Sequence, residues 1–383
     1  MNIVKIQNTS NILFRGYRGT VKQVESNNKA DDCINDSSFM RNLDSLGFVC
    51  DYLKKEFPKG ANIADFACSN GDETYSLGIL LHDCNKDKKY KITGYDISTK
   101  AIEDAEKGFL SLSYNYDGVV ARVLTKDRYV SRLGQDNENW LKIKSNFNEC
   151  FQKLGWDWEK FNLQHPRAKK KVTKLPCASG DAEIDLARVK FIQTQNNFVK
   201  AGDYFVPKKG VFDDVIDFKL ADIVNIDKEL TPNKTGVVFF KNALYHLMYQ
   251  IKDDKYLVDF DIKPVKELFS KIYSMLSDKG IFVMGALNAD HLFGRAVTAD
   301  YFHKINQDGK ELTVYDTSFV HQELREAGFE PIFYEQDEKT VNDYLSPKVY
   351  LPSVWRKLSE EEIYQREQEQ KKEKYAQIIS LLT

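Results

Sequence analysis

Short apolar runs alternate with helical segments along most of this chain, and this alternation limits the possible folds more than any other feature. The predicted strands are residues 62–67, 90–95, 236–240, 280–287, 331–334 and 348–354. The predicted helices are residues 38–57, 74–84, 98–108, 261–276 and 317–327. Strands that alternate with helices pair in parallel and carry helices on both faces of the sheet. The sequence therefore predicts an α/β fold with a mostly parallel sheet.

Composition narrows the class of protein. The chain has 383 residues, of which 42% are hydrophobic and 29% charged, as expected of a globular protein. Its formal net charge of -2 does not favour binding to nucleic acid. It contains neither an apolar run long enough to span a bilayer nor an N-terminal signal segment. Its six cysteines form no CxxC pair and its histidines no HExxH motif, so we expect a cytoplasmic enzyme without a metal.

Two segments interrupt the alternation and suggest how the chain is divided. Residues 112–200 are far longer than the roughly 15 residues beyond which a connection usually has its own structure or function. Near the end, Ser359 and Glu362 form a capping-box pattern ahead of a charged helix. The predicted parts are an N-terminal arm (1–36), a main domain (37–111 and 201–356), an inserted subdomain (112–200) and a C-terminal helix (357–383).

The most informative motif is IADFACSNGDETYSLGILL, residues 63–81. A strand ends at Ala67, a polar loop follows, and a helix begins. Such a turn directs backbone N–H groups at a ligand, and Gly71 would let the backbone approach that ligand closely. The GxGxxG pattern of dinucleotide sites is absent. Asp72 and Glu73 would repel phosphate but suit an ammonium group, such as that of S-adenosylmethionine (SAM). A plain strand–helix turn is the alternative.

A second motif, GYDIS, follows on the next predicted strand. Asp96 stands at the carboxyl end of that strand, 25 residues after Gly71. A carboxylate in this position can accept hydrogen bonds from both hydroxyls of a ribose, and the spacing is close to the usual value of about 20 residues. An aspartate that merely caps a helix is the alternative. Together the two motifs favour a nucleoside-containing ligand.

Several segments resemble the chemotaxis-receptor glutamate methyltransferases (CheR-type). ACSNGDETYSLGILL resembles their first motif, and the matching residues are Cys68, Ser69, Gly71, Glu73, Tyr75, Ser76 and Leu77. GYDISTKAIEDAEKG resembles their second motif, and VIDFKLADIVN resembles the segment that flanks adenine. VVFFKNALYHL, MLSDKGIFVMGALN and SSFMRN resemble three further segments. Order and spacing agree over residues 37–110 and 205–290.

The resemblance implies a Rossmann-like class I SAM-dependent methyltransferase with a mostly parallel, seven-stranded sheet and an inserted subdomain. The cofactor residues that it implies are Ala67, Ser69, Gly71, Glu73, Asp96, Ile97, Asp222, Ile223 and Asn242. The catalytic residues that it implies are Arg41, Tyr245 and His246. This chain departs from the family at Asp222, where the family has Asn, at Lys241, where it has Arg, and at His246, where it has Tyr.

The expected activity is methyl transfer from SAM, which becomes S-adenosylhomocysteine (SAH), to a carboxylate of an acceptor protein. Arg41 would orient that carboxylate by a bidentate contact, whereas an amine or hydroxyl acceptor would use His246 as a base. The alternatives are a small-molecule N- or O-methyltransferase and a SAM-binding sensor or scaffold without catalysis. At both positions a role without function is the alternative: Arg41 could be an exposed helix residue, and His246 could merely pack or cap. An NAD-dependent oxidoreductase is disfavoured by the loop with one glycine.

Overall fold

The fold was analysed in a computed structural model. It describes residues 40, 42–108, 110–113, 138–153, 202–241, 243–244, 247, 263–285, 302–315, 319–336 and 350–382. In chain order the elements are α1 (Leu43–Glu56), β1 (Ala61–Phe66), α2 (Asp72–Leu81), β2 (Tyr90–Asp96), α3 (Thr99–Lys107), β3 (Leu110–Ser113), α4 (Glu138–Cys150), β4 (Phe151–Lys153), β5 (Gly202–Pro207), β6 (Ile216–Leu220), α5 (Ile226–Glu229), β7 (Thr235–Phe239), α6 (Lys263–Met275), β8 (Leu276–Val283), β9 (Phe302–Gln307), β10 (Lys310–Tyr315), α7 (Phe319–Glu326), β11 (Phe329–Gln336), β12 (Tyr350–Lys357) and α8 (Glu360–Leu382).

The chain forms two compact units. The first comprises Ala61–Phe66 and the described residues from Asp222 onward, and the second comprises the described residues before Ala61 and between Ala67 and Ala221. Within the described ranges, no helix is long and apolar enough to cross a membrane. The same ranges contain no group of side chains that could hold a metal ion.

The first unit is built on a mixed sheet. Strands β1, β7 and β8 pair in parallel, and β12 pairs antiparallel with β8 and with β11. Every residue of β7 is buried, which suits its continuous apolar sequence TGVVF. Helix α6 packs against β8 through side chains that recur at three- and four-residue spacing, which are Val265, Leu268, Phe269, Ile272 and Met275. Helix α8 begins at the predicted capping box, because Glu362 N–H donates to Ser359 Oγ and Ser359 N–H to Glu362.

A hairpin that the sequence analysis missed extends this sheet. Strands β9 and β10 pair antiparallel around Asp308 and Gly309, which both have positive φ, 52° and 76°. An Asp-Gly pair between two strands is a strong signal for such a turn. Seven described strands of the first unit therefore belong to this sheet, and two of them, β9 and β10, were not predicted.

The second unit contains the parallel pair β2–β6 and a three-stranded antiparallel sheet ordered β3-β5-β4. Helix α4, from the predicted insertion, packs against α2. The two helices share one buried cluster with residues at the start of α1, in β4 and after β5. Its members are Met40, Leu43, Tyr75, Ile79, Ile143, Phe147, Cys150, Phe151 and Phe212. The described part of the insertion therefore packs against α2, while its predicted boundaries stay a prediction.

The predicted α/β fold is confirmed, and the two ends of α3 lie where they were predicted, whereas the start of α1 does not. Helix α3 begins after Ser98, whose side chain accepts the N–H of Ala101, and ends at Gly108 in the left-handed conformation, as predicted. Helix α1 begins at Leu43 rather than near residue 38, because Met40 and Asn42 have positive φ, which a helix does not allow. Most of residues 112–200, and the whole N-terminal arm, lie outside the described ranges.

Candidate functional site

The loop between β1 and α2 has an unusual backbone. Ala67 and Ser69 have φ of 59° and 53°, and Gly71 has φ of 83°. Left-handed conformations at residues other than glycine are uncommon and persist only where the surroundings enforce them. Here Cys68 N–H donates to Tyr95 O at 3.0 Å, and Gly71 N–H donates to Cys68 O at 2.9 Å. The strained loop is therefore tied to the end of β2.

Gly71 is required for two separate reasons. Its φ of 83° strains any other residue, and a Cβ built on it would lie 2.9 Å from Phe218 Cζ and 3.2 Å from Ala105 Cβ. Protein atoms occupy the place of a Cβ here, so packing within the second unit by itself requires a glycine. The predicted close approach of a ligand to Gly71 stays a prediction.

Asp96 joins the loop to the start of α3. Its side chain is 7% exposed; Oδ2 accepts the N–H of Ser69 and Oδ1 accepts the N–H of Ser98, both at 2.9 Å. Burial raises the pKa of this carboxyl, and the donated N–H groups of Ser98, Ser69 and Ile97 act in the opposite direction. Each carboxylate oxygen has a second lone pair, so Asp96 can accept further hydrogen bonds from a ligand.

The loop also contains buried polar atoms for which the described residues offer no partner. They are Ser69 Oγ and Asn70 Oδ1. Most buried polar atoms in proteins are hydrogen-bonded, so such atoms require an explanation. Helix α2, which follows, has Gly71 as its N-cap without a side-chain cap, and its first turn carries Asp72 and Glu73. This acidic surrounding suits a ligand with a positive group and disfavours phosphate.

Apolar side chains lie beside Asp96. Ile97 follows it directly, and Leu220 is its register partner on β6. These two side chains are 42% and 55% exposed, which is high for large apolar residues. Exposed apolar surface next to a buried acceptor suits a ligand with both a flat apolar part and hydroxyl groups. Ile97 was predicted from the sequence, whereas Leu220 was only part of VIDFKLADIVN, the segment that resembles the family's adenine-flanking one.

Asp222 and Ile223 belong to the other unit. Asp222 caps a short 3₁₀ helix, Ile223–Asn225, by accepting the N–H of Val224 at 3.1 Å, and Ile223 is 4% exposed. Asp222 thus has a structural role, and the predicted contact of both residues with adenine stays a prediction.

The structure brings together six of the predicted residues in one segment of the second unit. These are Ala67, Ser69, Gly71, Glu73, Asp96 and Ile97. Arg41, Asn242, Tyr245 and His246 lie outside the described residues. Near the first of these, Met40 is fully buried and its N–H donates to Ser76 Oγ of α2 at 2.8 Å. Lys241, which precedes Asn242, is 9% exposed.

A family model and two known proteins match the part of the chain that contains these residues. Residues 35–155 match the family model for the CheR methyltransferase SAM-binding domain. Chemotaxis protein methyltransferases from two strains of Campylobacter jejuni subsp. jejuni are each 28% identical over 134 residues, which is 32% of this chain and 48% of theirs. The chain therefore spans about half the length of the curated relatives that it matches.

Solved structures give weaker likenesses. A SAM-dependent methyltransferase from Methanosarcina mazei is 12% identical, with a TM-score of 0.33, and the match covers 82% of this chain and 98% of that one. A protein from Pyrococcus horikoshii OT3 is also 12% identical, with a TM-score of 0.33, and the match covers 85% and 93% of the two chains. Such scores are too low to support an argument about fold or function.

The described residues fit the cofactor of this family. Asp96 can accept ribose hydroxyls, Ile97 and Leu220 offer an apolar surface for a base, and the acidic first turn of α2 suits the ammonium group of a methionine. The match over residues 35–155 covers the whole of this segment up to and including Ile97. Residues 35–155 accordingly match the SAM-binding domain of CheR methyltransferases, and the chain resembles the CheR-type SAM-dependent methyltransferases.

Proposed function

We propose that this protein is a CheR-like methyltransferase that transfers a methyl group from SAM to a carboxylate side chain of an acceptor protein. The observation that carries the proposal is the hydrogen-bonded contact between the loop after β1 and the end of β2. There the carboxylate of Asp96, 7% exposed, accepts the N–H of Ser69, whose own hydroxyl has no partner among the described residues.

The protein's own residues would bind and orient the cofactor. SAM supplies an electrophilic methyl group together with its leaving group, so a nucleophile must chiefly be aligned. Asp96 would accept the ribose hydroxyls, Ser69 and Glu73 would face the methionine end, and Ile97 would lie against adenine. The remaining predicted contacts are Ala67, Gly71, Asp222, Ile223 and Asn242.

The acceptor chemistry depends on residues that the family resemblance singles out. Arg41 would hold an acceptor carboxylate in a bidentate contact, and such an acceptor needs no base. His246 or Tyr245 would be needed instead for an amine or a hydroxyl, which must lose a proton. The relatives' name, chemotaxis protein methyltransferase, supports a protein as the acceptor. A cytoplasmic location for the reaction is part of the same proposal.

Calorimetry with SAM, SAH and NAD tests the cofactor. We expect saturable binding of SAM and SAH and none of NAD. Binding of NAD without binding of SAH would overturn the proposal, since the acidic turn at Asp72 and Glu73 is argued to exclude a pyrophosphate.

Incubation of the protein with methyl-labelled SAM and cell extract tests the transfer. Carboxyl esters release their label in mild base, whereas methylated nitrogen does not. We expect base-labile label on protein that the Arg41→Ala variant fails to produce and the His246→Ala variant still produces. SAH binding without label in any fraction would indicate a SAM-binding sensor instead of an enzyme, and base-stable label would indicate a nitrogen acceptor.

A further inference from the structure

We propose that Phe218 is a positioning residue that holds the cofactor loop in its strained conformation, and that it links this loop to the inserted segment of residues 138–153. The proposal rests on the proposed function, because it assumes that SAM binds at this loop. Phe218 lies on β6, and its side chain has no polar group that could bind a substrate or cofactor.

The ring of Phe218 lies between two glycines of the candidate site. A Cβ on Gly71 would be 2.9 Å from Phe218 Cζ, and a Cβ on Gly94 would be 2.7 Å from Phe218 Cδ1. Gly71 ends the loop after β1, and Gly94 lies on β2 two residues before Asp96. The same ring therefore occupies the space beside both strand ends that form the site, and only residues without a side chain let it do so.

An aromatic chain connects this ring with the insertion. The ring centroids of Phe218 and Tyr75 are 5.6 Å apart, and those of Tyr75 and Phe151 are 5.9 Å apart in an edge-to-face arrangement. Phe151 in turn stacks on Phe147 of α4 with centroids 5.2 Å apart. Tyr75 is fixed from its other end, because its hydroxyl donates to Ala105 O at 2.9 Å. Such aromatic pairs contribute beyond the area that they bury.

The ring of Phe218 supports the loop in addition to the hydrogen bonds that join it to Tyr95 and Asp96. Ala67 and Ser69 lie in the left-handed region, and two polar atoms of the loop, Ser69 Oγ and Asn70 Oδ1, have no partner among the described residues. Such conformations persist only where the surrounding structure enforces them. A smaller side chain at position 218 would create space into which Gly71 could relax. The polar atoms of Ser69 and Asn70 would then move away from the positions in which a ligand can bind them.

The test compares the Phe218→Ala and Phe212→Ala variants of the full chain. Phe212 belongs to the same cluster, with its ring centroid 5.5 Å from that of Tyr75 and 5.7 Å from that of Phe151, but it packs against Gly78 instead of the loop. Both variants should lower Tm. Calorimetry with SAH should show an affinity loss of about tenfold for Phe218→Ala, a change of the size that packing networks can transmit. The loss should be clearly smaller for Phe212→Ala, because Phe212 reaches the loop only through Tyr75.

Two further variants complete the test. Phe218→Leu keeps an apolar branch against Tyr75, and we expect it to recover part of the SAH affinity. Phe151→Ala, in the inserted segment, should weaken SAH binding less than Phe218→Ala, because it acts through Tyr75. Equal affinity losses for Phe218→Ala and Phe212→Ala, or an unchanged affinity in Phe218→Ala, would overturn the inference. If the unmodified protein binds no SAH, the proposed function itself fails.

Discussion

Helices α2 and α3 each begin directly after a strand, yet their first turns differ. Helix α3 has Ser98 as its N-cap, and the side chain accepts the N–H of Ala101 at 3.2 Å. Helix α2 has Gly71 in the left-handed conformation at the same place, without any side-chain cap. The loop before α2 also holds the buried Ser69 Oγ, which has no partner among the described residues.

The difference separates a structural helix start from one built for a ligand. At α3 a side chain of the protein itself caps the helix, since Ser98 Oγ accepts the N–H of Ala101. At α2 the backbone is strained, and Ser69 Oγ and Asn70 Oδ1 have no hydrogen-bond partner in the part of the chain that the structure describes. This is unfavourable unless another molecule completes the hydrogen bonds. Asp96 connects the two helix starts, because its carboxylate accepts the N–H of Ser69 before α2 and the N–H of Ser98 before α3. Variants on the two sides should therefore affect different properties.

The largest effect is expected from Gly71→Ala. The left-handed conformation costs an L-residue roughly 1–2 kcal/mol, and the contact of its Cβ with Phe218 adds about 1–3 kcal/mol. We expect lower stability in urea and loss of measurable SAH binding. Gly210→Ala is a matched control, because Gly210 has the same φ of 83° and open space around its Cβ position. Equal destabilisation by the two variants would show that the ring contact is unimportant.

Asp96→Asn comes next. The amide retains one acceptor oxygen but removes the charge, and hydrogen bonds to charged groups contribute roughly 1.5–3 kcal/mol, so SAH affinity should fall on the order of 10- to 100-fold. Calorimetry measures this loss. Ser98→Ala is the control from the other helix start: loss of a cap costs about 1 kcal/mol of stability, and SAH affinity should not change. An affinity loss in Ser98→Ala would remove the distinction between the two helices.

Asp96 should also make stability and binding respond to pH in opposite directions. Burial raises its pKa in the folded protein above the ordinary value of 3.8. Its contribution to stability is therefore fully present below that ordinary value and is lost as pH rises through the raised folded pKa. SAH binding needs the ionised carboxylate, so affinity should increase with pH over the same interval. Denaturant titrations and calorimetry across this interval should show both trends, and neither in Asp96→Asn.

Local chemistry explains which elements were predictable. Ser98 and Gly108 delimit α3 because an N-cap acceptor and a left-handed glycine act within one turn of the chain. The hairpin β9–β10 was equally predictable from Asp308-Gly309 and was overlooked. The start of α1 was not, because nothing local in the sequence requires Met40 and Asn42 to be left-handed; buried packing of Met40 and its bond to Ser76 enforce it.

The candidate site was predictable only in part, for a related reason. Residues 67–73 and Asp96 stand in a sequence pattern that reflects the backbone turn and the strand end, so spacing along the chain reveals them. Phe218 and Leu220 reach the same region from β6, more than 120 positions after Asp96, and only the pairing of β6 with β2 brings them there. The resemblance of VIDFKLADIVN to the family's adenine-flanking segment pointed to this stretch of chain, but nothing in its local pattern distinguished Phe218 and Leu220.

Ser69→Ala should have the smallest effect of these variants, and unlike Gly71→Ala and Ser98→Ala it should not lower the stability of the protein. Its hydroxyl is buried without a partner among the described residues, and an unsatisfied buried polar group destabilises a protein. Removing it should therefore leave stability unchanged or raise it by up to about 1 kcal/mol. SAH affinity should fall by a few-fold, because the hydroxyl is then missing from the loop. A loss of stability would mean that the hydroxyl is satisfied within the protein, and the start of α2 would then be as self-sufficient as that of α3.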